Sequence, residues 1–176
     1  MVARLAGDHG GAFKRAPQRI RAVVATVEVD PARPVLALPI TFMNDSGGAV
    51  ALLARYYKVQ GEGLVLVHDD IDLPFGKLRF QFGRGSGGHN GVESVVKAIG
   101  SEEMWRLKVG VGRPPGSMDP ADFVLRRFNV RERPDMDLLV VAGAGVLEVF
   151  AAAGGEAARQ EAGDATGRLG IGTADP

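Results

Sequence analysis

The sequence predicts an α/β fold, a single domain with a mixed, partly parallel sheet flanked by helices. Three observations carry that expectation. Leu64-Val65-Leu66-Val67 is short and wholly apolar, the pattern of a strand covered on both faces in a parallel sheet. Lys77-Leu78-Arg79-Phe80-Gln81-Phe82 alternates basic or polar with apolar residues, which gives a half-buried strand with Lys77 and Arg79 on its open face. Residues 91–99 and 134–158 carry apolar residues at helical spacing. A chain of 176 residues has the length of one domain and can bury roughly two-thirds of its unfolded surface.

Along the chain, residues 1–9 predict a helix with Val2, Leu5 and Ala6 on one face, stopped by Gly10-Gly11. Residues 21–29 and 35–40 are apolar and β-branched, and Asp30-Pro31-Ala32-Arg33-Pro34 between them predicts a hairpin turn. A helix follows over 48–57, with Ser46 as its N-cap. Gly61-Glu62-Gly63 separates it from the apolar strand at 64–67, and Phe75-Gly76 turns the chain into the alternating strand. Gly100 ends the 91–99 helix, and a strand over 107–112 runs into Arg113-Pro114-Pro115-Gly116. The helix over 134–158 is expected to bury Leu138, Leu139, Ala142, Val146, Val149 and Phe150. Residues 1–162 thus read as the domain. Residues 163–176, without periodicity, read as a disordered tail.

Composition narrows the classes. With 45% hydrophobic residues and a mean hydropathy of +0.03 the chain is an ordinary globular protein. The absence of cysteine excludes disulfides and thiolate metal sites and fits a reducing compartment. No signal-peptide pattern opens the chain and no uninterrupted apolar run reaches the ~18 residues of a membrane span, so a cytoplasmic location is the default expectation. Formal net charge is zero but unevenly placed: residues 77–113 hold seven basic and three acidic side chains, residues 129–176 four basic and eight acidic. The basic block favours a phosphate-bearing ligand.

That block contains Gly85-Ser86-Gly87-Gly88-His89-Asn90-Gly91, a glycine loop feeding a helix. Its glycines allow close backbone approach to a ligand, and His89 and Asn90 fall at a helix N-terminus, where free amides favour anions. Thr41-Phe42-Met43-Asn44-Asp45-Ser46-Gly47 and His68-Asp69-Asp70-Ile71-Asp72-Leu73-Pro74 place further polar groups after apolar runs. Ligands of open α/β sheets bind beyond the carboxyl ends of the strands, where these three segments can converge.

These segments, together with residues 107–114, resemble in order and spacing the bacterial peptidyl-tRNA hydrolase family over about residues 35–130. The resemblance implies a monomeric cytoplasmic α/β enzyme of translation, an aminoacyl-tRNA hydrolase that releases the peptide from peptidyl-tRNA, with no cofactor and no metal. It implies that Asp69 fixes the catalytic imidazole, that the Asn44 and Asn90 amides hold water and substrate backbone, and that His89 stands beside the glycine loop. Met43, Gly87 and Gly88 would contact the substrate, and Arg79, Arg84 and Lys108 would hold tRNA phosphates. Gln81 stands where the family usually has a lysine, which weakens that grip unless Arg79 or Arg84 compensates.

Members of the family also begin with a core strand, a Gly-Asn-Pro-Gly loop and a Thr-Arg-His-Asn segment that supplies the general-base histidine. None of these has a counterpart here, and residues 1–6 look like the helix that follows that histidine. The first core strand is therefore expected to be missing and hydrolysis to be impaired. Two other readings remain open: a non-catalytic RNA-binding paralogue, and a metal-dependent phosphoesterase using His68, Asp69, Asp70, Asp72 and His89. Neighbours in an extended segment point to opposite faces, which argues against the metal set. His68 reads as a strand-end packing group, and His9 as a solvent-facing side chain.

Overall fold

The structure is a computed structural model and describes residues 1–171. Helix α1 (Val2–Asp8) leads into an antiparallel sheet of β1 (Lys14–Arg15), β2 (Ala22–Thr26) and β3 (Val35–Pro39), ordered β1-β2-β3. The predicted hairpin is present, with Ala22 opposite Pro39 and Thr26 opposite Val35. Helix α2 (Ser46–Tyr57) covers this sheet, burying Ala49 and Leu53 against Ile20 and Val24. Ser46 is the first helical residue rather than the N-cap, and its hydroxyl turns back to the Phe42 carbonyl at 3.3 Å.

A second sheet consists of β4 (Val65–Asp70), β5 (Leu78–Phe82) and β6 (Trp105–Gly110), in the order β4-β6-β5. β4 runs parallel to β6 and β5 antiparallel to it. The expected mixed, partly parallel α/β arrangement is therefore present, divided into two three-stranded sheets because β3 and β4 do not pair. β4 extends three residues past the predicted strand and takes in His68, Asp69 and Asp70. It is half-buried at every position, against the expectation of full burial. Helix α3 (Asn90–Ile99) crosses over to β6 and closes with Gly100 in the left-handed conformation, φ 79°.

The main core joins this sheet to the C-terminal helices. Phe80 stacks on Trp105 with ring centroids 5.1 Å apart, and Leu107, Leu139 and Val146 are fully buried around them. After a short α4 (Pro120–Val124), the predicted long helix is split into α5 (Glu132–Ala153) and α6 (Gly155–Leu169). Gly154 makes the break with φ 84°, and Gly155 lies so close to the Trp105 indole that no side chain fits there.

The tail expected from residue 163 onward is helix as far as Leu169. Ala158, Ala162 and Ala165 are buried, and Thr166 Oγ1 accepts the Leu78 amide at 2.9 Å. Small residues at helical spacing make most of this contact, so the segment shows only one of the large aliphatic side chains that mark a core helix, Leu169. The last part of that expected tail, 172–176, lies outside the described residues.

Leu138 is 53% exposed, unlike its buried neighbour Leu139. Helix α5 spans 22 residues with a mean hydropathy of 1.9 in its most apolar stretch, long and apolar enough to cross a membrane by those two measures. Here it packs against α1 and α6.

Candidate active site

Asp69 lies one residue before the end of β4, and His89 caps the start of α3; the fold brings them to hydrogen-bonding distance. His89 Nδ1 accepts the backbone amides of Gly91 at 3.1 Å and Val92 at 3.2 Å, so the imidazole is itself the N-cap of α3. A nitrogen accepting two amides carries no proton. The proton is therefore on Nε2, which donates to Asp69 Oδ1 at 3.1 Å. The hydrogen bond from His89 holds the Asp69 carboxyl below its ordinary pKa, against the opposing effect of burial.

His68 packs edge-on against His89, ring centroids 4.7 Å apart. Its Nδ1 donates to the Asp69 carbonyl oxygen at 2.7 Å, which leaves Nε2 a bare acceptor. That Nε2 is buried and has no hydrogen-bond partner among the described residues. Burial, reinforced by the neighbouring His89, lowers the His68 pKa to about 4, so the ring is neutral at pH 7. His68, read from the sequence as a strand-end packing group, lies within β4 two residues before its end and packs its ring on His89. His9, expected in solvent, instead approaches Glu148 of α5 at 3.3 Å.

Asn44 lies in a single 3₁₀ turn, Met43–Asp45, immediately before α2. The turn is pressed onto α3 because Gly47 has no side chain: a Cβ there would lie 2.0 Å from the Ser94 carbonyl oxygen. The Gly47 amide donates to Ser94 Oγ at 3.0 Å. As a result Asn44 and Asn90 line one open cleft of about 590 Å³, together with Asp45, Glu93, Ser94 and Lys97. The Met43 sulfur packs over Gly91, and Met43 and His89 line the adjoining groove between β3 and β4. Of the four polar residues expected to act together, Asn44 and Asn90 line the cleft, His89 lines the groove, and Asp69 lines neither but is joined to them through His89.

The glycine loop is anchored by a residue that sequence reasoning passed over. Arg106 is 2% exposed, and its guanidinium donates to the carbonyl of Gly83, to that of Arg84 at 2.6 Å and to that of Gly85 at 2.8 Å. Arg106 alternates with the buried Trp105 and Leu107 on β6, the sequence signal that could have marked it as facing a different environment. Gln81 lies directly across from Arg106 in the antiparallel pair. A lysine at 81 would place a second cation beside a buried one. Above the anchor, Gly87 and Gly88 take φ 62° and 80° and are exposed.

The expected phosphate contacts are not equivalent. Arg79 and Arg84 are exposed. Lys108 is turned inward onto Asp70, Nζ to Oδ2 2.5 Å, with both side chains largely buried. Burial opposes ionisation of Asp70, but Lys108 and the Asp72 amide outweigh it and leave the carboxyl below its usual pKa. Asp72 in turn accepts from Arg113 at 2.6 Å. The acidic run of the metal reading is therefore shared among His89, Lys108 and Arg113. Among the described residues no three His, Cys, Asp or Glu side chains gather to hold a metal ion.

A family model described as peptidyl-tRNA hydrolase matches residues 1–167. The chain belongs to the peptidyl-tRNA hydrolase family. A peptidyl-tRNA hydrolase of Kineococcus radiotolerans is 46% identical over 162 residues, covering 89% of this chain and 82% of that one. One from Frankia casuarinae is 45% identical over 159 residues, covering 90% and 80%. Among solved structures, peptidyl-tRNA hydrolase from Acinetobacter baumannii superposes with a TM-score of 0.78 at 25% identity, over 97% of this chain and 82% of that one. Peptidyl-tRNA hydrolases act on the ester bond of peptidyl-tRNA, so the α/β fold and the reaction class expected from the sequence are those of the family.

Proposed function

We propose that this chain binds peptidyl-tRNA in the cytoplasm as a monomer, with the ester at the start of α3, and hydrolyses it slowly. The observation that carries this reading is the state of the histidines beside the cleft. Ester hydrolysis at neutral pH needs a base to take a proton from water and donors to stabilise the oxyanion. Donors are available at the Asn44 and Asn90 amides and at the exposed Gly87 backbone N–H, whereas the Gly88 N–H is engaged by Ser86 Oγ at 3.3 Å.

The base is the weak point. His89 already spends both nitrogens, one on the α3 amides and one on Asp69. His68 has a free lone pair, yet a pKa of about 4 makes it a feeble proton acceptor. Asp69 is placed to hold and orient an imidazole, which supports its assignment as the positioning carboxylate of the reaction. The phosphates of the tRNA would meet Arg79 and Arg84 first, since Lys108 is engaged by Asp70.

Release of N-acetyl-aminoacyl groups from tRNA by this chain is expected to be ~10²–10⁴-fold slower than by the Kineococcus relative, the usual cost of lacking a general base. Turnover at the relative's rate would overturn the reading. Asp69→Ala and Asn90→Ala should each lower the remaining turnover about tenfold, with tRNA affinity retained in a filter-binding assay.

A further inference from the structure

Two directions lead away from the start of α3, and they differ in charge. The glycine loop and the strand that feeds it carry the exposed Arg84 and Arg79. The cleft between α2 and α3 carries carboxylates instead, from Asp45 and Glu93. Among the described residues its lining holds one cation, Lys97, and Glu93 already binds that ammonium at 2.6 Å. A chain with a negative charge on every unit is repelled from such a wall, because like charges brought together cost free energy. A nucleic acid is therefore directed toward the loop, and the cleft is left for the other half of a ligand whose reacting bond sits at the start of α3.

The cleft has the dimensions of a short extended peptide. Asn90, Glu93, Ser94, Lys97 and Ala98 recur at helical spacing and form one wall from a single face of α3. From Asn90 to Ala98 that face runs about 12 Å at a rise of about 1.5 Å per residue. Three to four extended residues cover the same distance at about 3.3 Å each. The cleft volume of about 590 Å³ agrees, since an extended residue at sheet spacings takes roughly 160 Å³. Asn44, Asp45 and Gly48 form the facing wall. A Cβ at Gly48 would meet nothing within 4 Å, so the space beside α2 is open.

The lining suits a main chain more than particular side chains. The exposed Asn44 and Asn90 side chains each offer one carbonyl and one NH₂ group, the counterparts of a peptide N–H and C=O. Ser94 Oγ accepts the Gly47 amide at 3.0 Å and keeps its own proton to donate. Among the described residues no large apolar side chain lines the cleft, so nothing there selects for hydrophobic side chains.

We propose that this cleft is the subsite for the peptide half of peptidyl-tRNA, holding the three to four residues next to the ester extended along α3, with Asp45 and Glu93 excluding tRNA and disfavouring acidic side chains. The inference rests on the placement of the ester at the start of α3 and adds the direction in which the peptide leaves it.

The test uses the whole chain and tRNA carrying N-acetylated peptides of one, two, four and six alanines through a non-hydrolysable 3′-amide, so that binding is read without turnover. In filter binding, affinity should rise about tenfold from one residue to four and stay level from four to six. Gly48→Phe places a ring in the open space and improves helix propensity, so it should erase the gain with length while thermal unfolding stays cooperative. Glutamate as the third residue should bind about threefold more weakly than lysine, the scale of an exposed charge pair. A diazirine on that residue should crosslink within residues 93–98. Affinity independent of peptide length, while uncharged tRNA still binds, would overturn the subsite and leave the ester placement standing. Crosslinks confined to residues 83–88, or glutamate bound more tightly than lysine, would also overturn it. Failure of every tRNA to bind would overturn both readings together.

Discussion

Replacing His68 by phenylalanine keeps a ring against His89 but removes a titrating group from the interior. In the folded chain burial holds the His68 pKa at about 4, against 6.5 for an unperturbed histidine. The groups that face it are His89, Arg106 and Asp69. Between pH 6.5 and 4 the unfolded chain binds a proton at residue 68 that the folded chain refuses, so stability falls as pH drops through this window and is level above it. The loss is about 2 kcal/mol at pH 5 and about 3 kcal/mol once pH is below the folded value. Set beside a typical domain stability of ~5–15 kcal/mol, it is easily measured. Asp69 and Asp70 have lowered pKa values, so their contributions are present above the ordinary carboxylate range and are lost only at still lower pH. Urea unfolding of the native chain and of His68→Phe at pH 7, 6, 5 and 4.5 isolates the histidine. The native curve should fall toward the variant's as acid is added. Two curves separated by a constant offset would refute the reasoning, as would an NMR titration placing the His68 midpoint near 6.5.

Arg106→Met leaves three part-buried loop carbonyls without their shared donor and should cost about 1–3 kcal/mol. Limited proteolysis should then cut within residues 83–88, and unchanged stability with an uncut loop would show that the guanidinium is not the anchor. For tRNA, the double variant Arg79→Ala, Arg84→Ala should reduce the slope of log affinity against log salt by about 1.5, as expected for two lost phosphate contacts. Lys108→Ala should change that slope less, because Asp70 already neutralises the lysine; the reverse ranking in filter binding would show that Lys108 leaves Asp70 when tRNA arrives.

Local pattern carried far where one residue decides one conformation. The alternation in residues 77–82 placed Leu78 and Phe80 in the core and Arg79 outside, and the glycine-histidine-asparagine run placed His89 at the start of α3. It failed where a neighbour distant in sequence decides. Nothing near residue 108 says that Asp70 will hold the lysine, since their strands are joined only through the parallel register of β4 and β6. Arg106 looked like one more member of a basic block, yet the turn of the chain at Gly83–Gly85 buries it beneath three carbonyls. The part of α6 beyond residue 158 escaped notice because its contacts are made mostly by alanines, whose small area gives little periodic signal. The half-burial of β4 was likewise invisible: the sequence records what a strand prefers to touch, and pairing decides what it does touch.

The capping role of His89 ties the chemistry of the site to the mechanics of the fold. The same imidazole that presents a proton to Asp69 terminates the amide array of a ten-residue helix. Adding a proton to Nδ1 would turn an acceptor into a donor aimed at two N–H groups, so the first turn of α3 would have to open, and Asn90 would move with it. The molecule therefore cannot change the charge on this histidine without also reshaping the wall of its cleft. What looks like a local proton inventory is a constraint on the shape of the cleft that Asn44 and Asn90 line.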